Sequence, residues 1–193
     1  MRLLTILCLV LLSVHSYSQD VVTGHILIKD GIYYHQDTNQ LVTGIVEEFY
    51  DDGQLESRGN YKDGKEDGLS EWFHENGQLW WRRNFIDGKQ DGLYELFHKN
   101  GQLWVRRNFI DGKLDGLYEL FHRNGRLSER GNYKDGKQDG LSEWFHDNGQ
   151  LWMRGNFKDG KRDGLTEFFH DNGPLAYRRN YKDGEVVETN ENP

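Results

Sequence analysis

Residues 68–91 read GLSEWFHENGQLWWRRNFIDGKQD, and the same 24-residue pattern starts afresh at Gly44, Gly92, Gly116, Gly140 and Gly164 with no gap or insertion. Each copy is counted here from its first glycine as position 0. Glu at position 3, Phe at 5, Leu at 11, Arg at 14, Asn at 16, an aromatic at 17, Asp at 19 and Gly at 20 then recur in all six copies. A fixed period of this length marks a repeat architecture, in which each copy is one supersecondary unit stacked on the next. Two short runs, such as LSEWFH and QLWWRRNF, fill each copy, divided by Asn-Gly (Asn76-Gly77) and Asp-Gly (Asp87-Gly88). Both dipeptides are hairpin signals, because Gly, and Asn or Asp before it, tolerate the positive φ that tight turns require. Glycine every few residues leaves no run long enough for a stable helix. The expected fold is all-β: a single-layer antiparallel meander of stacked β-hairpin repeats, about twelve strands, curled and elongated because long single sheets do not stay flat.

Register decides which side chains share a face. A type I turn followed by a left-handed glycine at Asn76-Gly77 sets position 6 opposite 10, 5 opposite 11 and 4 opposite 12. Phe73 then faces Leu79, and Trp72 faces Trp80, as do Trp144 and Trp152, Leu96 and Trp104, Leu120 and Ser128, and Phe168 and Ala176. This register is preferred because it gathers Leu69, Phe73, Leu79 and Phe85 on one face. A two-residue Asn-Gly turn would instead set Glu71 opposite Arg82.

Composition agrees with such a fold. The 193 residues include 23 Gly, 2 Pro, 6 Trp, 10 Tyr, 10 Phe and a single Cys, with a formal charge of −8. Aromatics are too frequent for a disordered chain, and aliphatics too few for a bulky core. Scarce proline excludes collagen and polyproline; one cysteine excludes a disulfide scaffold. The acidic balance argues against nucleic acid as a partner.

The first residues stand apart. Met1-Arg2, the apolar run Leu3 to Leu12 and the small residues of Ser16-Tyr17-Ser18 read as a signal peptide over 1–18, cleaved before Gln19. The run is too short to span a bilayer, so no membrane insertion of the mature chain is expected. The exported product would reside in the periplasm, at the cell envelope or outside the cell. Residues 19–43, with ILIKDGIYYH as a hairpin, read as an N-terminal β cap. The repeats occupy 44–187, and 188–193 form an acidic polar tail expected to fray.

The recurring NGQL and YKDGKxDG signatures resemble the MORN-repeat variant family, whose bacterial members include YwqK-like antitoxins. The resemblance covers 44–187. It implies a curled sheet of stacked hairpins used for binding, carries no catalytic residues, and attaches an antitoxin label that a cleaved export signal suits poorly.

Each candidate site has a structural alternative. The His column (His74, His98, His122, His146, His170) repeats every second strand, about 9.6 Å, too far for neighbouring imidazoles to share a zinc ion at ~2.0–2.1 Å. The Glu column (Glu47 to Glu167) offers carboxylate pairs at a similar spacing, but equivalent environments do not separate an acid from a base; these residues are expected to offset Arg. The Asp-Gly-Lys-x-Asp-Gly connections lack the ligand density of a calcium loop and read as turns. No metal or cofactor is expected, and no enzyme activity. The remaining candidate is Trp72, Trp80, Trp104, Trp144 and Trp152 interleaved with Arg82, Arg106 and Arg154, read as one exposed stripe. Trp and Arg dominate binding hot spots, while guanidinium groups covering the rings by cation–π contact is the structural alternative. A protein partner is expected, a glycan or a toxin being the alternatives; oligomeric state is left open.

Overall fold

The computed structural model describes residues 20–22 and 25–190, so the expected signal peptide and residues 191–193 lie outside the described residues. The described residues contain no helix. Strands from Gly44–Phe49 to Glu185–Asn190 form one 14-stranded antiparallel sheet whose strands pair in sequence order. The sheet does not close into a barrel; the strand along 137–145 is interrupted at Asp139.

Both turns are built as their residues dictate. The Asp-Gly loops are two-residue type I′ turns: Asp63 and Gly64 have φ of 50° and 80°, and Lys62 pairs with Lys65 across them. At the Asn-Gly loops the His74 N–H donates to the Gln78 carbonyl at 2.8 Å, and the Gly77 N–H to the His74 carbonyl at 2.8 Å. Gly77 has φ of 77°. This is the three-residue turn with a left-handed glycine expected from the sequence, and Phe73 faces Leu79.

One residue further the expected register fails. Trp72 faces Trp81 and not Trp80, and Glu71 lies directly opposite Arg82. The other copies correct in the same way: Trp144 faces Met153, Leu96 Val105, Leu120 Glu129 and Phe168 Tyr177. A second bulge, whose extra residue is always position 12, absorbs the difference. The turn belongs to one of the two alternative registers and the body of the hairpin to the other, so Leu69, Phe73 and Leu79 share a face while Phe85, opposite Gly68, points to the other side.

A third irregularity joins successive copies. Between the pairs Gly59–Ser70 and Tyr61–Glu66, Asn60 alone faces the three residues Asp67, Gly68 and Leu69. The Asn60 side chain fills the gap, donating from Nδ2 to the Leu69 carbonyl at 2.5 Å. Gly68 has φ of 110°, and a Cβ there would stand 3.2 Å from the Asn60 Cβ. Position 0 therefore needs glycine and position 16 a short amide. Bulges bend and twist the strand that carries them, and their repetition in every copy curls the sheet.

The two faces differ. Positions 2, 4, 13, 15 and 17 form an inner face on which Ser142 and Thr166 are fully buried and Val105 and Met153 nearly so, although no second sheet among the described residues is layered over them. Positions 1, 3, 5, 11, 14 and 16 form the outer face. At the first edge the Val22 N–H donates to the Ile45 carbonyl at 2.7 Å and the Ile45 N–H to the Asp20 carbonyl at 3.1 Å, covering the edge strand. The hairpin Ile26–Lys29 with Ile32–His35 folds onto the inner face, where Ile26 and Tyr33 pack on the buried Val42, Val46 and Tyr61. At the other edge the last strand continues through Asn190, with Thr189 opposite Arg179, past Val187 where the sequence placed its end.

Candidate binding surfaces

The constant Glu and Arg residues meet in a charge ladder across the outer face. Alternation along each strand places position 3 opposite position 14 both within a copy, as Glu71 with Arg82, and between copies, as Arg82 with Glu95. Glu95 is 2% exposed and accepts from Nε of Arg82 at 2.5 Å and of Arg106 at 2.9 Å. Arg106 also reaches Glu119 at 3.1 Å. The hydrogen bond to Glu95 chiefly, against the opposing effect of burial, raises the Arg106 guanidinium above its ordinary value. Glu167 likewise accepts from Arg154 at 2.5 Å and Arg178 at 3.0 Å. The carboxylate column offsets Arg, the role expected for it once its copies share equivalent environments.

Position 12 divides the expected Trp/Arg stripe. Without its bulge, Trp80 and Arg82 would share a face. With two residues, Trp80 and Trp81, set against Trp72, the indoles lie on the inner side and Arg82 on the outer. Arg82, Arg106 and Arg154 are therefore ladder residues. The guanidinium groups that accompany inner aromatic rings belong to the next column: Arg83 lies 4.1 Å from the Trp81 centroid, Arg107 5.2 Å from that of Tyr118 and Arg179 4.9 Å from that of Tyr177. Sequence reasoning missed this column because position 15 varies between Gly and Arg, whereas position 14 is always Arg.

The five Trp residues also fall into two kinds. Trp72 stacks on Trp81 with centroids 5.6 Å apart, and Trp144 packs on Phe157 at 5.8 Å, both within the inner face. Trp80, Trp104 and Trp152, the extra residues of their bulges, are 42–46% exposed beside the Asn-Gly turns. Each rests on the preceding His: His74 at 5.7 Å, His98 at 5.2 Å and His146 at 6.5 Å between centroids. His74, His98 and His146 thus back indoles, while His122 links two copies. His122, which has Ser128 where others have Trp, places Nε2 3.0 Å from the Phe145 carbonyl and Nδ1 2.9 Å from Asp147. Tyr50 holds the same position in the first copy and donates to the Phe73 carbonyl at 2.6 Å.

Two open grooves flank these rings. One of about 680 Å³ runs between Tyr50, His74, Trp80 and Lys99, and one of about 380 Å³ between Trp104, Leu120, His122 and Arg123. Lys99 and Arg123 are the two basic residues at position 7, which is Asp51, Glu75, Asp147 and Asp171 in the other copies. The middle copies therefore set a cation beside an exposed indole in a chain that is acidic as a whole. Among the described residues no group of three or more His, Cys, Asp or Glu is placed to hold a metal ion.

A family model described as MORN repeat variant matches six consecutive segments, residues 42–63, 66–87, 90–111, 114–135, 138–159 and 162–183. The chain belongs to the MORN repeat variant family. Each matched segment spans one three-residue-turn hairpin and ends on the Asp of the type I′ turn, so the MORN signature coincides with the hairpins described above. A comparison with curated proteins gave no match. Among solved structures, this MORN chain is similar to a mutant of TarM from S. aureus in complex with Fondaparinux, alpha-GlcNAc-glycerol and UDP. That likeness has 17% identity and a TM-score of 0.33 over 50% of this chain and 19% of the other. A second TarM crystal structure is similar at 18% identity and a TM-score of 0.31, over 49% and 20% of the two chains. The chain thus spans about a fifth of the length of these structures.

Proposed function

We propose that this MORN-variant protein is an exported, non-enzymatic scaffold that binds another protein through the Asn-Gly edge of its sheet. The observation that carries this reading is the row of exposed indoles, Trp80, Trp104 and Trp152, each backed by a His and facing open space. Ordinary packing would bury these rings; holding them out on a rigid element presets a contact and lowers the entropy lost on binding. Lys99 and Arg123 next to two of them favour a partner surface bearing carboxylates.

The test is affinity capture with the full chain and with a Trp80→Ala, Trp104→Ala, Trp152→Ala variant, from the envelope and medium of the source cells. A protein retained by the first and lost by the folded variant supports the reading; identical capture by both defeats it. N-terminal sequencing of the exported chain tests cleavage before Gln19. A second reading, glycan binding, is favoured by the open ring faces, which suit pyranose stacking. Tryptophan fluorescence titrated with cell-wall fragments separates the two.

A further inference from the structure

The repeat pattern breaks in one place in a way that packing does not require. Position 4 holds Trp, Leu or Phe in copies 2 to 6 but Glu48 in the first; position 22 holds Gln, Leu, Arg or Val after the later copies but Glu66 after the first; position 13 is Trp only at Trp81. All three residues face inward, and the sheet brings them together. They line a cavity of about 160 Å³ over Gly59, with Trp72 beside Trp81 on one side and Tyr61 with Tyr33 of the N-terminal hairpin on the other. Tyr33 and Tyr61 stand 4.4 Å apart between centroids. The space equals that of about five waters in the liquid, too little for a sugar ring with its hydroxyls or for a peptide segment.

Arg58 also borders this cavity but is paired with Glu47 at 2.8 Å, so the two carboxylates inside it have no cation of their own among the described residues. Glu48 and Glu66 accept from Ser57 Oγ at 3.1 Å and Ser70 Oγ at 3.3 Å, and neither is in an ion pair among the described residues. Arg83 lies over the Trp81 ring and does not come within ion-pair distance of Glu66. Burial raises Glu66 from its ordinary value, with the Ser70 hydroxyl and Arg83 opposing that shift only in part. Burial and the contact with Tyr33 push Tyr61 far above the usual phenol range, so the Tyr61 hydroxyl stays neutral. A carboxylate taken out of water without a partner is costly, and aromatic faces attract cations.

We propose that this cavity binds a primary alkylammonium group, such as the end of a lysine side chain. Trp72, Tyr33 and Tyr61 supply the aromatic wall, the Trp81 ring being already taken up by Trp72 and Arg83; two carboxylates supply the countercharge, and the Glu and Ser oxygens the acceptors for the three N–H donors. The site is independent of the exposed Trp row, and each can be abolished without the other. It also assigns the N-terminal hairpin a role beyond covering the sheet, since Tyr33 is one wall.

The test is a titration of the full chain with N-acetyl-lysine amide, followed by tryptophan fluorescence, with choline and sodium chloride at equal ionic strength as controls. A saturable response to the lysine derivative, weaker with choline and missing with sodium chloride, is expected. Glu66→Gln should lose about tenfold or more in affinity while its thermal midpoint stays level or rises, because a desolvated charge is removed. Glu48→Gln, at the exposed mouth, should lose affinity without any effect on folding. No saturable response to the lysine derivative overturns the proposal. So does equal or stronger binding of choline, or retention of affinity in both variants.

Discussion

The inner face is filled in two ways by one backbone. Where copies meet, position 15 faces position 2 of the next copy, giving Gly59–Ser70, Gly131–Ser142 and Gly155–Thr166 at three junctions but Arg83–Tyr94 and Arg107–Tyr118 at the two between. Glycine always meets a small hydroxyl residue and arginine always meets tyrosine. Within a copy no such rule holds, since Ser70 also faces Arg83 and Tyr118 faces Gly131. The packing unit therefore straddles the copy boundary. At the glycine junctions the fit is close: a Cβ at Gly131 would lie 2.5 Å from Ser142 Oγ, and at Gly155 2.6 Å from Thr166 Oγ1. At the arginine junctions a planar guanidinium spans two rings, with Arg107 5.9 Å from the Tyr94 centroid and 5.2 Å from that of Tyr118. These glycines have no positive φ and are required by close approach, unlike those of the turns.

Exchange of the two fillings is the sharpest way to break this contrast. Gly155→Arg alone should cost about 3 kcal/mol by overpacking. Adding Thr166→Tyr should return most of that loss by rebuilding an arginine junction, so the two changes will be strongly non-additive in urea denaturation. Simple addition of the two effects would show that the pairing is incidental.

On the outer face Glu95, buried between Arg82 and Arg106, should be the costliest ladder residue to remove. Glu95→Ala is expected to lose about 2 kcal/mol, the buried-pair penalty discounted because both Arg residues are some 40% exposed. Glu47→Ala, whose single partner Arg58 is still more exposed, should lose less than about 1 kcal/mol. Equal losses would mean that the ladder acts only through its average charge.

Arg107→Gly removes a cation–π bridge and the stem that covers the rings, for about 1–2 kcal/mol. Pairing it with Tyr118→Ser, which recreates a glycine junction, should soften the loss.

The smallest effect concerns pH. Burial raises Glu129 on the inner face, opposed by the hydrogen bond from Trp144 and by Arg107. A carboxyl whose folded value lies above its unfolded value favours the folded state most when protonated, so its contribution declines as pH rises through the folded value. Glu129→Gln should therefore be more stable than the parent at neutral pH, and the two should converge on acidification. A difference that grows in acid would contradict this.

The architecture was legible because every copy carries its own punctuation. Asp-Gly at positions 19 and 20 forms a type I′ turn in every copy, although Asp67-Gly68 and most of its counterparts run inside strands, and His74-Glu75-Asn76-Gly77 forms a three-residue turn. Strand order and direction therefore follow from local chemistry, while the break at Asp139 and the last strand to Asn190 raise the expected twelve strands to fourteen. The composition follows too, with glycine scheduled at positions 0, 9 and 20. The candidate binding surface was legible only in part. Trp80, Trp104 and Trp152 were identified as surface residues, but Trp72 and Trp144 pack inside, and Arg82, Arg106 and Arg154 belong to the Glu ladder.

What the amino-acid sequence determined by itself was the period, the turns and the residues available to each copy. Which side chains meet was decided by the tertiary structure. A bulge adds one residue to one strand, and nothing local to Leu79-Trp80-Trp81 reveals which of the three is extra. That choice is settled by pairing summed across the sheet: slipping the hairpin body past position 12 aligns every Glu of the column after Glu47 with an Arg on both neighbouring strands, and turns the variable positions 2, 13 and 15 inward. There their differences between copies create the junction pairs and the cavity at Glu66.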